Sequence, residues 1–248
     1  MRTTKIIINP KFRHLESFIK SLPETFETSG EVIYNGRNQI RLYERNEVKI
    51  AVKRYKIPLL VSRVHYTLFR PSKAKRAYEY AVALEKMGFD TPAPIAYIEI
   101  SNNGIFERGY FASEMVDAKV VRFWEEENPE ELKQLLAEFA AYTARLHDNG
   151  ILHLDYSPGN ILYRKENGHF RFYLIDINRM RFNITDRDLL MRNFERITPN
   201  PDILRSLARE YALVNGTDIE RTVEKAFEAV AHFEHKQLKK NRLKRIFK

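Results

Sequence analysis

The chain has no cysteine among its 248 residues, which excludes a disulfide framework, a thiolate metal site and a cysteine nucleophile, and fits a reducing compartment. Long apolar runs are missing too. The opening MRTTKIIINPKFRHLE holds only three consecutive apolar residues, too few for a signal-peptide core, and no window approaches the roughly 18 needed to span a membrane. A cytoplasmic protein is expected. Glycine is scarce, at nine residues, and no G-x-G-x-x-G motif occurs. Acid is absent between Glu47 and Glu79, where Lys49, Lys53, Arg54, Lys56, Arg63, Arg70, Lys73, Lys75 and Arg76 are all basic. With no zinc spacing and no aromatic RNA-binding signature, a nucleic-acid partner is not expected.

What is present describes a globular protein. Apolar residues make up 44% and aromatics 12%, enough to bury a core in one large domain or two small lobes. The net charge of +9 is uneven, with a second basic cluster in the C-terminal HKQLKKNRLKRIFK. Such patches favour polyanions: nucleotide phosphates, nucleic acid or anionic lipid. A solvated basic face is the plainer alternative for either one.

Periodicity orders the chain. EVIYNGRNQIRLYERNEVKIAVKRYK, 31–56, reads as short strands broken at Asn35-Gly36 and at 45–47, with Lys53 on a half-buried strand. SKAKRAYEYAVALEKMG, 72–88, reads as a helix capped by Ser72 and stopped by Gly88. TPAPIAYIEI and GYFASEMV read as two more strands. An amphipathic helix then begins at Pro129 and ends at Gly150, and the chain from about 184 onward is mostly helical. Strands with one helix, followed mainly by helices, predict an α+β enzyme with an N-terminal lobe, 1–116, and a helical C-terminal lobe, 117–248.

The chemistry gathers in HLDYSPGN, 153–160, between a helix and the short strand ILY. If that strand pairs with RFYLID, then Asp155, Asn160 and Asp176 share one edge. Two carboxylates and an amide are hard oxygen donors of the kind magnesium takes, usually with phosphate oxygens completing its shell. Upstream, an ion pair between Lys53 and Glu79 would hold the lysine toward a phosphate. Each residue alone has a bland reading: strand lysine, helix-surface glutamate, turn aspartate, core histidine.

AVKRY, AYEYA, HLDYSPGN and LIDIN follow one another in the order of the protein-kinase signatures, and the chain resembles the protein-kinase-like superfamily. The resemblance implies ATP and Mg2+. It implies that Asp155 orients the attacking hydroxyl and accepts its proton, that Asn160 and Asp176 hold magnesium, and that Lys53, positioned by Glu79, meets the α- and β-phosphates. FASEMVDA, 111–118, would be the hinge, with the backbone of Glu114 and Val116 on adenine. The glycine loop departs from the pattern. Backbone amides from Gly36 to Asn38, with Arg37, would have to cover the phosphates. DIN replaces D-F-G, and A-P-E is missing.

RPSKAKRAYEYAVALEKMGFDTPAPIAY, HLDYSPGNILY and LIDINRMRF are together similar to the lipopolysaccharide kinases, which phosphorylate Kdo or core heptose. That likeness implies transfer of the ATP γ-phosphate to a sugar hydroxyl of a lipid-linked anionic saccharide. Basic and apolar residues interleave over 57–76 and 236–248, where Leu238, Leu243, Ile246 and Phe247 lie among lysines and arginines. This predicts peripheral contact with an anionic inner-membrane surface. Two alternatives stand beside it. One is a kinase for another acceptor, a small molecule or a protein, although a polycationic aminoglycoside suits a +9 chain poorly. The other is a non-catalytic kinase-fold binding module.

Overall fold

Apolar–polar alternation in the N-terminal half builds a six-stranded antiparallel sheet. The computed structural model describes residues 1–246, with side chains through 243. It divides into Met1–Asp117 and Ala118–Lys248. The first unit runs β1 (Arg2–Ile8), α1 (Glu16–Thr25), β2 (Glu31–Asn35), β3 (Gln39–Arg45), β4 (Val48–Arg54), α2 (Leu60–Leu68), α3 (Lys73–Lys86), β5 (Pro94–Asn102) and β6 (Ile105–Glu114). The strand order is β1-β5-β6-β4-β3-β2.

Alternation along β4 separates core from function. Ile50 and Val52 face the cluster that contains Ile19 and Leu22 of α1, together with Phe26 just beyond it. Lys53, between Val52 and Arg54, points to the other face, where Tyr55 packs with Ala74 of α3 and Tyr97 of β5. Ser72 caps α3 by accepting the Lys75 N–H at 3.1 Å. Such a cap contributes about 1 kcal/mol.

The single helix expected in this unit, 72–88, has two companions. The first, α1, follows an edge strand that is mostly exposed, and α1 carries Pro23 inside it, so neither element shows a clean period. The second, α2, lies in the basic apolar segment 57–76, and its orientation inverts the usual rule. Arg63 Nε donates to the Phe106 carbonyl at 2.8 Å, and Thr67 Oγ1 accepts the Phe106 N–H at 2.9 Å. The Tyr66 ring meets Phe106 edge-on. The polar side is therefore docked on β6, while Leu60, Val61 (84% exposed), Val64 and Leu68 face outward, followed by exposed Phe69.

The second unit contains β7 (Lys119–Val120), α4 (Pro129–Asp148), β8 (Leu152–His153), β9 (Ile161–Glu166), β10 (His169–Leu174), β11 (Met180–Arg181), α5 (Arg187–Leu190), α6 (Pro201–Asn215) and α7 (Ile219–Ile246). Asn128 caps α4 through the N–H groups of Glu130 and Glu131, and Pro129 takes the first position, where its missing N–H costs nothing. Leu135, Phe139, Tyr142 and Leu146 recur on the buried face. Gly150 ends the helix region at φ +63°. A Cβ there would lie 2.9 Å from the Ile184 backbone, so both conformation and space demand glycine. The first part of α7 buries Val223 and Ala226, and beyond it Leu238 and Leu243 are exposed. The apolar roles expected of Ile246 and Phe247 lie outside the described side chains.

His147 of α4 is buried between the Tyr211 hydroxyl at 2.8 Å and the Asn193 amide at 3.1 Å. Burial, helped by the charge of Arg187, holds its pKa down at about 3 against the usual 6.5. The folded state keeps the ring neutral while the unfolded chain protonates first. The stability is therefore intact above pH 6.5 and drains away as pH falls toward the folded value. Urea unfolding should show His147 removing about 2 kcal/mol between pH 6.5 and 5, and His147→Gln should flatten that part of the profile. An unchanged slope in the variant would contradict this assignment.

Candidate active site

In the second unit, β9 and β10 pair with Leu174 opposite Ile161, and the chain after Asp176 returns as β11 to pair with β8, Met180 opposite His153. The loop 153–160 is thus enclosed by two strand pairs. Its bonds are specific. His153, 1% exposed, donates from Nε2 to the Ile175 carbonyl at 3.1 Å and accepts the Asp155 N–H at Nδ1, also at 3.1 Å. These partners require the neutral Nε2–H tautomer, and burial lowers the ring's pKa in agreement. Asn160 donates from Nδ2 to the Asp155 carbonyl at 2.8 Å, and its own carbonyl accepts the Ile175 N–H at 2.9 Å. Asp155, Asn160 and Asp176 are brought together at one edge.

Tyr156 anchors the loop to the core. Its ring stacks on Phe139 at 5.8 Å and its hydroxyl meets Thr143 Oγ1 at 2.9 Å. Burial pushes its pKa well up, so it acts as a neutral strut. Asp176 sits at φ +54°, ψ +37°, a left-handed conformation unusual for a residue with a Cβ and frequent where a side chain is aimed for function. Asn178, 4% exposed, donates to Asp176 Oδ1 at 2.6 Å. Arg196 forms an ion pair with Asp155 Oδ1.

The donor set fits magnesium on its chemistry. Because the Nδ2 of Asn160 is turned to the Asp155 carbonyl, its Oδ1 is the atom offered outward, and Asp176 supplies a carboxylate. Among the described residues, no group of three or more His, Cys, Asp or Glu could cage a metal. An ion held here would complete its shell with phosphate oxygens and water, as magnesium does.

In the first unit, Lys53 lies opposite Ile40 and Phe111, with its ammonium 5.5 Å from the Tyr55 ring centroid. The Glu79 carboxylate, expected to position Lys53, pairs with Lys75, one helical turn earlier, at 3.6 Å. Glu79 is on the solvent side of α3, where the lysine at i−4 is within easy reach. The turn at Gly36 and Arg37 is closed by the Gly36 N–H on the Asn38 carbonyl at 3.0 Å. The Gly36 amide is thereby spent internally, which leaves those of Arg37 and Asn38. A groove lined by Gly36, Arg37, Arg54, Lys56 and Arg108 adjoins this turn. Glu114 donates its N–H to Ala93 at 2.9 Å and Met115 donates to Lys49 at 2.8 Å. A ligand contact from Glu114 therefore runs through its carbonyl. The Val116 N–H has no partner among the described residues.

The order of strands and helices is that of the protein-kinase-like fold, and the family comparison makes the chain a kinase. The Lipopolysaccharide kinase (Kdo/WaaP) family model matches residues 29–206, more than half of the chain, and the chain belongs to that family. The solved structure of WaaP in complex with acyl carrier protein is similar over 95% of this chain and 98% of that one, at 15% identity and TM-score 0.64. The Rio2 kinase–ADP/Mg2+-phosphoaspartate complex from Chaetomium thermophilum matches over 93% of this chain and 78% of that chain, at 17% identity and TM-score 0.48. Comparison with curated proteins gives no match.

The Glu79–Lys75 pair is exposed and contributes less than about 0.5 kcal/mol. Glu79→Gln should leave both the melting temperature and ATP affinity, measured by calorimetry, nearly unchanged. A tenfold loss of ATP affinity would show that Glu79 positions Lys53 after all.

Proposed function

We propose that this kinase moves the γ-phosphate of ATP to a hydroxyl of Kdo or core heptose on a lipid-linked lipopolysaccharide precursor, at the cytoplasmic face of the inner membrane. The observation that carries the reading is the hydrogen-bonded assembly of Asp155, Asn160 and Asp176 through His153. The Kdo/WaaP family match supports the acceptor class.

The Asp155 carboxylate orients the sugar hydroxyl and takes its proton as the new O–P bond forms. The bond from the γ-phosphorus to its bridging oxygen breaks, and ADP leaves. Asn160 and Asp176 would hold Mg2+, which would neutralise charge on the phosphates. Lys53 meets the α- and β-phosphates, and Arg37 with the neighbouring amides covers them. The Glu114 carbonyl and the Val116 N–H receive adenine. Transfer through a loose transition state asks chiefly for positioning and charge neutralisation.

The acceptor's lipid supplies a reason for the outward apolar side of α2. Lys56 and Arg70 flank α2 in sequence and are exposed, as are Leu238 and Leu243 of α7. Segments 57–76 and 236–248 rest on an anionic bilayer surface in this reading, each basic residue near it contributing about 1 kcal/mol.

With labelled ATP, magnesium and a Kdo-bearing lipid A precursor, the wild type should label the sugar, and Asp155→Ala should lose roughly 10²- to 10⁴-fold in turnover. Unchanged turnover in the variant would refute the role of Asp155, and ATP binding without transfer would send the search to another acceptor. Vesicle sedimentation should show binding to anionic lipid at low salt that Leu60→Ser/Leu68→Ser weakens. Absence of binding at low salt would remove the membrane contact.

A further inference from the structure

The ion pair between Arg196 and Asp155 joins residues 41 positions apart, and neither the loop motif nor the magnesium ligands account for it. Arg196 lies between the short turn Met191–Phe194 and α6. Its backbone is held on both sides. Glu195 donates its N–H to the Arg192 carbonyl at 3.1 Å, while Ile197 and Thr198 are buried. Thr198 Oγ1 accepts the Asn200 N–H at 3.1 Å, where Asn200 caps α6. The guanidinium carbon also lies 5.4 Å from the centroid of Phe233 on α7, within cation–π range. The side chain is thus held at its base by buried neighbours and along its length by an aromatic face, although 36% of it is exposed.

Asp155 already has its N–H on His153 and its carbonyl on Asn160. These two bonds fix the backbone and leave the side-chain torsions unconstrained. Arg196 engages Oδ1 and so restrains those torsions. The planar fork of arginine suits that task better than the point charge of a lysine would. Oδ2 is then the oxygen presented to an attacking hydroxyl. A loose transition state makes orientation of that hydroxyl count for more than the strength of the base, so a cation beside the carboxylate is compatible with its role.

We propose that Arg196, seated on Phe233, is a positioning residue that holds the Asp155 carboxylate in the orientation from which it directs the acceptor hydroxyl. The proposal rests on the role given to Asp155 above. It assigns to α7, whose distal part carries the basic exposed face, a direct line to the reacting group through Phe233 and Arg196.

Turnover is measured for the full chain with labelled ATP, magnesium and the Kdo-bearing precursor, and also as slow ATP hydrolysis to water. Arg196→Gln should lower kcat by about 10- to 100-fold with KM for ATP within about twofold, because the loss is one of orientation and not of nucleotide binding. Arg196→Lys should recover part of the rate, and Phe233→Leu should cost a smaller, about threefold to tenfold, loss. In an Asp155→Asn background, Arg196→Gln should add no further loss. Wild-type kcat in Arg196→Gln, with Asp155→Asn impaired, overturns this proposal alone, as does a full additional loss in the double variant. Wild-type kcat in Asp155→Asn overturns the role of Asp155 and the proposal with it.

Discussion

The neutral ring of His153 joins two parts of the second unit that the chain itself keeps apart. Its Nε2–H reaches the carbonyl of Ile175, the residue before Asp176, while its Nδ1 takes the amide of Asp155. One buried imidazole therefore links the loop at Asp155 to the strand end before Asp176, the two residues proposed to direct the acceptor and hold magnesium. Either bond, if lost, would leave a partly buried backbone group without its partner, at a cost of about 1 kcal/mol. Burial lowers the pKa of the ring, in the sense that favours the neutral form these two bonds require.

Around that joint the fold supplies rigidity in layers. Phe139 and Thr143 of α4 hold Tyr156, so the loop cannot lift away from the helix that precedes it. The left-handed backbone at Asp176, with the Asn178 amide on its carboxylate, aims a side chain that an extended strand end would leave free. The candidate site residues here borrow their orientation from buried neighbours. The first unit is organised differently, since strand alternation alone gives Lys53 a face opposite the α1 core.

Much of this was legible from the residues because each legible feature is local. The strands of 31–56, the capped helix at 72–88, the helix from Pro129 and the H-x-D-x-x-x-x-N loop all declare themselves within a few positions. The pairing of ILY with RFYLID, posed from the residues only as a condition, is the one the structure contains. Other features depend on long-range packing and carried no local signal. Arg196 reaches Asp155 across 41 residues, and β1 with α1 hides behind an exposed edge and an internal proline. Segment 57–76 showed its basic and apolar character but not its helix, whose docked side is the polar one. Glu79 has a partner that strand-to-helix reasoning did not consider, Lys75 on the same helix.

The proposed magnesium site of Asn160 and Asp176 has to work together with bound nucleotide. Isothermal titration of ATP with and without magnesium, on wild type and Asp176→Asn, tests it without requiring knowledge of the acceptor. Magnesium should tighten ATP binding to the wild type, and the variant should lose this gain while keeping its magnesium-free affinity. Equal magnesium dependence in the two proteins would contradict it.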